Sequence, residues 1–98
     1  MKPEACAGMA EVRAGIDALD RRLVALIAER LSFIAAAARI KPDRAAVRDE
    51  WRKADVLAKV EHVSRELGVP ADLTADLWER LVEYSIAHEF VVFDKHRG

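Results

Sequence analysis

The sequence predicts an all-α fold of three helices, the N-terminal one very long, and three observations carry that reading. Apolar residues make up 52% of the 98 residues and charged residues 34%, with only four glycines and three prolines to interrupt helices. Between Met9 and Lys41 there is no proline and a single glycine, Gly15, while the apolar positions step by three and four. No alternating apolar–polar stretch bounded by tight-turn residues marks a β-hairpin, and no repeat or low-complexity tract appears.

The first helix, about Met9 to Lys41, carries the stripe Val12, Ile16, Leu19, Leu23, Leu26, then Arg30, Phe33, Ala37 and Ile40. Pro42 stops it, because a proline pushes the residue before it away from helical angles. At 1.5 Å per residue such a helix is about 50 Å long. A chain of this size folds to a radius of gyration of only about 13 Å. The rest of the chain is too short to cover the stripe, so the helix is expected to find a partner and the chain to be dimeric. Residues Pro42 to Asp49, PDRAAVRD, form a polar connector. A second helix follows, with Asp49 as N-cap, Gly68 as C-terminal stop and Val56, Val60, Val63 and Leu67 as its stripe. After the turn at Val69-Pro70, a third helix starts near Ala71 or Asp72 and runs to about Phe93. It carries Leu77, Trp78, Leu81, Val82, Ile86 and Val92 on or near its buried face. The last residues, DKHRG, are expected to fray. Residues 1–98 read as one domain.

Composition narrows the function. Net charge is −1, so no basic field draws in nucleic acid. Eleven arginines against five lysines suit small anionic ligands, because a guanidinium grips carboxylates bidentately. The single cysteine, Cys6, excludes a disulfide framework and reads as a reduced bystander. No apolar run approaches the ~18 residues of a membrane span, and no secretory leader opens the chain, so a cytoplasmic location is expected. HExxH, paired CxxC, GxGxxG and Walker patterns are absent, and neither a metal nor a cofactor is expected. His88 reads as a helix-face residue. Trp51 and Trp78 read as core or interface packing, and the FVVF run at 90–93 as packing on the dimer.

The informative residues are polar ones on apolar faces. Arg30 occupies a position that the Leu19–Leu23–Leu26 stripe reserves for an apolar side chain. Lys41, eleven residues on, lies only about 20° away around the helix and about 16 Å along it. In the third helix, Ser85 and Glu89 continue the line of Leu77 and Leu81. Buried charges need partners. One reading is an internal Arg30–Glu89 ion pair, or side chains that snorkel to solvent. The other is a cationic pocket between helices with one carboxyl, suited to an anionic ligand. Arg13 lies seventeen residues before Arg30, about 25 Å along the helix. A small metabolite cannot bridge that distance, so two such arginines on one ligand must come from different chains; the alternative is that Arg13 is a solvated surface charge.

These residues carry a resemblance to the AroQ class (type II) of chorismate mutases, including its isochorismate-pyruvate lyase branch. The stretch VRAGIDALDRRLVALIAER resembles the first-helix motif of that class in residue type and arginine spacing. Lys41 follows at the expected interval, VRDEWR supplies Asp49 and Arg52, and Ser85 and Glu89 fall where the third helix contributes. The resemblance implies an entwined homodimer whose sites each take Arg30, Lys41, Arg52, Ser85 and Glu89 from one chain and Arg13 from the other. It implies that Arg13 and Arg30 clamp the substrate carboxylates, supported by Arg52 and Ser85. It also implies that Lys41 and Glu89 reach the breaking ether oxygen, and that Asp49 lies near the ring hydroxyl. A unimolecular rearrangement needs orientation and charge stabilisation rather than a nucleophile, metal or cofactor.

Two positions depart from the pattern. Many bacterial mutases carry glutamine where this chain has Glu89, which can donate a hydrogen bond only when protonated; activity is then expected to fall as pH rises. Lys53 stands where typical mutases have a glutamate that contacts the ring hydroxyl. The first expectation is therefore a mutase making prephenate from chorismate. The alternatives are a lyase making salicylate and pyruvate from isochorismate, and a non-catalytic helical dimerisation module.

Overall fold

A computed structural model of the chain describes residues 2–97. Among them are three α-helices and no strand: α1 (Met9–Ile40), α2 (Glu50–Leu67) and α3 (Ala71–Arg97). Short 3-10 turns lie at Pro3–Ala5 and Arg44–Ala46. The chain divides into two compact units, residues 1–33 and 34–98.

The first unit holds the N-terminal turn and most of α1. Its stripe is there as the periodicity requires, but it is uncovered: Ile16, Leu19, Leu23 and Leu26 are each more than half exposed. Apolar area of that extent along one helix face is the mark of an association surface.

The second unit holds the last turns of α1, the connector, and α2 packed against α3. Lys41 lies one residue past α1, its N–H still bonded to the Ala37 carbonyl at 2.9 Å. Pro42, with no N–H and a fixed φ, prevents another turn. Asp43 opens the 3-10 turn by accepting from the Ala46 N–H at 3.2 Å. Asp49 caps α2 by accepting from the Arg52 N–H at 3.0 Å. Gly68 ends α2 at φ 71°, left-handed, with the Val69 N–H returning to the Ser64 carbonyl at 2.8 Å. That pattern satisfies carbonyls the helix leaves open, and glycine adopts it without a Cβ penalty. Ser64 is buried where α2 meets α3, its hydroxyl 2.6 Å from that of Thr74.

The core of this unit is small: Ala38, Val47 and Phe93, with Ile86, Phe90 and Val92 packed against them. Two expectations change here. Residues 94–97 of the tail are helical rather than frayed, since α3 continues to Arg97, and Gly98 lies outside the described residues. The Arg97 guanidinium donates to the carbonyls of Ala38 and Lys41 at 3.2 and 2.6 Å and lies over the Phe93 ring, 4.1 Å from its centroid. It thereby satisfies the open carbonyls at the end of α1 and places a cation at the negative end of two helices. Phe93, expected to pack on a partner, packs on Ala38 and Val47 of its own chain. Trp51 is 75% exposed, which leaves the interface half of its core-or-interface expectation.

Candidate active site

Glu89, on α3, is 4% exposed, and the Lys41 ammonium stands 2.7 Å from its Oε2. The 3.6-residue period places Glu89 on the face that also buries Val82, Ser85 and Phe93, so burial is imposed by position and not by chemistry. The contact is one of charge: Oε2 takes no aligned hydrogen bond among the described residues. Lys41 is oriented by the connector instead, donating to the Val47 carbonyl at 3.2 Å. An ammonium has three protons, and one goes to the Val47 carbonyl, which leaves donor capacity beside Glu89 for a ligand oxygen.

Ser85, one turn before Glu89, is buried and donates to the Leu81 carbonyl at 2.7 Å. Asp49 and Arg52 share the first turn of α2, where Asp49 acts as the cap and the Arg52 guanidinium holds Asp55 at 2.7 Å. Lys59 and then Arg52 hold the Asp55 carboxyl below the usual carboxylate range. Arg13 and Arg30 lie on α1 in the first unit, Arg13 exposed and Arg30 half-buried. The second unit thus brings Lys41 to Glu89, and sets Ser85 and Glu89 on one buried face. Arg52 engages its own helix.

A cluster not anticipated from the sequence joins α2 to α3. Arg48 grips Glu83 with both nitrogens, at 2.7 and 3.2 Å, and reaches Glu50 at 2.9 Å. Lys53 donates to Glu79 at 2.8 Å and to Glu83 at 2.9 Å. Arg48, and then Lys53, pull the Glu83 carboxyl down to about 2. The same bonds raise Arg48 and Lys53 above their ordinary values, through Glu83 and Glu79 respectively. Helical spacing carries no trace of these pairs, because the partners lie 26 to 35 residues apart. The only hint is the run of charges from Arg48 to Lys53.

Among the described residues, no helix is long and apolar enough to cross a membrane, and no group of three or more His, Cys, Asp or Glu could hold a metal ion. What the site offers is a buried carboxyl beside a tethered ammonium, at the junction of α1, the connector and α3. Such a pair can hydrogen-bond and stabilise an oxygen that gains negative charge.

The family described as "Chorismate mutase type II" matches residues 12–90, and the chain belongs to it. The isochorismate pyruvate lyase of Pseudomonas aeruginosa is 29% identical over 96 residues, covering 98% of this chain and 95% of that protein.

Proposed function

We propose that the protein is a chorismate mutase, converting chorismate to prephenate without a cofactor, and that it acts as a cytoplasmic homodimer in aromatic amino-acid biosynthesis. Residues 1–98 form one domain, and two chains share each site. Arg30, Lys41, Asp49, Arg52, Ser85 and Glu89 come from one chain and Arg13 from its partner. The observation that carries this reading is the Lys41–Glu89 pair, 2.7 Å apart and buried on the α3 side, in a chain of the mutase family. The exposed α1 stripe supports the dimer, because two such helices can cover each other's apolar faces.

In the rearrangement the ether C–O bond breaks as a C–C bond forms in the same molecule, so no group is transferred to or from the protein. Negative charge grows on the ether oxygen. Lys41 donates to that oxygen, already oriented by the Val47 carbonyl. Glu89 lies beside Lys41 at the same position, and Glu89→Gln, which supplies an amide donor there, is expected to retain activity. Arg13 and Arg30 hold the two carboxylates, with Arg52 turning from Asp55 to the ligand, and keep the chain in its reactive fold.

A second reading is elimination of pyruvate from isochorismate, which breaks the same ether bond and calls on the same donors. The similarity to a lyase across 98% of the chain favours it, as does Lys53, which is turned to Glu79 and Glu83 and offers no carboxylate to a ring hydroxyl. A paired assay separates the readings: purified protein with chorismate, and separately with isochorismate, followed for prephenate and salicylate. Prephenate with little salicylate is the expected result. Fast salicylate formation moves the chain to the lyase branch, and no turnover of either compound over a broad pH range leaves only the dimerisation module.

A further inference from the structure

Most surface charges of α2 find partners within one helical turn, as Lys59 does with Asp55 and Arg65 with Glu61. Glu83 is different. Its Oε1 accepts from Arg48 at 2.7 Å, and its Oε2 accepts from Arg48 at 3.2 Å and from Lys53 at 2.9 Å. One carboxylate on α3 therefore holds the two cations that bracket the first turn of α2. Asp49 and Arg52, both assigned above to the substrate, lie between those cations.

The residue before Arg48 matters as much. Val47 is buried against Ala38 and Phe93, and its carbonyl is the acceptor that orients the Lys41 ammonium. A bidentate guanidinium–carboxylate contact fixes distance and plane together. With Arg48 so held, the Val47 carbonyl has little freedom to turn away from Lys41. The connector has one further ionic tether to α3, Arg44 to Asp94 at 3.0 Å.

We infer that Glu83 is a positioning residue: through Arg48 it holds the connector so that Val47 presents Lys41 to Glu89, and through Lys53 it holds the first turn of α2. The consequence for catalysis rests on the proposed function, whereas the clamp rests on geometry alone. Releasing the clamp lets the connector open. Substrate must then select the closed fraction, which raises its apparent dissociation constant without changing the chemistry of the closed complex.

The test uses the full chain with Glu83→Gln, Arg48→Gln and the double variant. Two quantities are read: the rate of trypsin cleavage after Arg44 in the native chain, and KM and kcat with chorismate and with isochorismate. Arg44 is present in every variant, and the preceding Lys41–Pro42 bond resists trypsin. Glu83→Gln is expected to raise the cleavage rate and KM by about fivefold each, the scale of losing an exposed but bidentate contact, with kcat unchanged. The double variant is expected to exceed neither single by much, since both remove one contact. Unchanged cleavage and KM in Glu83→Gln overturn the inference. So does a loss confined to kcat with a lowered Tm, which marks a merely structural residue. If the parent turns over neither substrate, the proposed function fails by itself, and the cleavage ratio alone decides the clamp.

Discussion

Removing the two members of the Lys41–Glu89 pair singly should cost unequal amounts, and the exposures set the order. The Glu89 side chain is 5% exposed and that of Lys41 is 28% exposed, at a separation of 2.7 Å. Lys41→Met strands a carboxylate that has little access to water and whose Oε2 accepts no aligned hydrogen bond. Breaking a buried pair in this direction costs about 3 kcal/mol. Glu89→Gln leaves an ammonium that keeps both water and the Val47 carbonyl, and the cost is about 1 kcal/mol. Replacing both, as in Lys41→Met with Glu89→Leu, removes the desolvation cost along with the attraction and should return the chain to near-parental stability. Urea unfolding at one fixed chain concentration reads all three, because self-association would otherwise shift the midpoints. By heat, the Lys41→Met loss corresponds to a fall of about 15 °C in Tm. Were Glu89→Gln as costly as Lys41→Met, or the double variant worse than either single, the desolvation reasoning would be refuted.

Gly68→Ala should cost about 1 kcal/mol, and from backbone strain alone, because φ is 71° and an added Cβ meets nothing within 4 Å. A loss well beyond that in a urea midpoint would point to a contact that the geometry lacks. Arg97→Ala should cost about 1 kcal/mol and speed amide exchange in the last turn of α1, since it removes donors to the Ala38 and Lys41 carbonyls; unchanged exchange there would contradict the capping role. Glu83 sits at about 2 in the folded chain against an ordinary 4.5. Its stabilisation is therefore complete above about pH 4.5 and is lost as pH falls toward 2, because only the unfolded chain takes up a proton across that window. Parent and Glu83→Gln stabilities should converge on acidification, by an amount that added salt reduces, and curves that stay parallel would refute the assignment.

What could be read from the sequence follows the range of the interactions. Pro42, Asp49 and Gly68 act within one turn of their own positions, and they mark the ends of α1 and α2 in the structure as in the sequence. Helical period alone puts Ser85 and Glu89 on a buried face, and both are buried. The helical state of residues 94–97 has no local signal, because the partners of Arg97 lie 56 and 59 residues away. Arg48 and Glu83 escaped notice for the same reason. For Trp51 the residue type left core and interface open, and its 75% exposure in one chain excludes only the core. For the candidate site, helical period alone did not bring Lys41 to Glu89; the resemblance implied it, and the two stand 2.7 Å apart.

Subunit complementation tests most directly whether each site is shared between two chains. One chain carries Arg13→Ala, and the other carries Lys41→Met with Glu89→Leu, the combination that keeps the fold. Each homodimer should be inactive on chorismate and isochorismate. Unfolded together in equal amounts and refolded, half of the dimers are mixed, and each mixed dimer has one complete site. Activity should then return to about a quarter of the parental value. A mixture that stays inactive, while the parent refolded in the same way recovers, would contradict a site built from Lys41 and Glu89 of one chain and Arg13 of its partner.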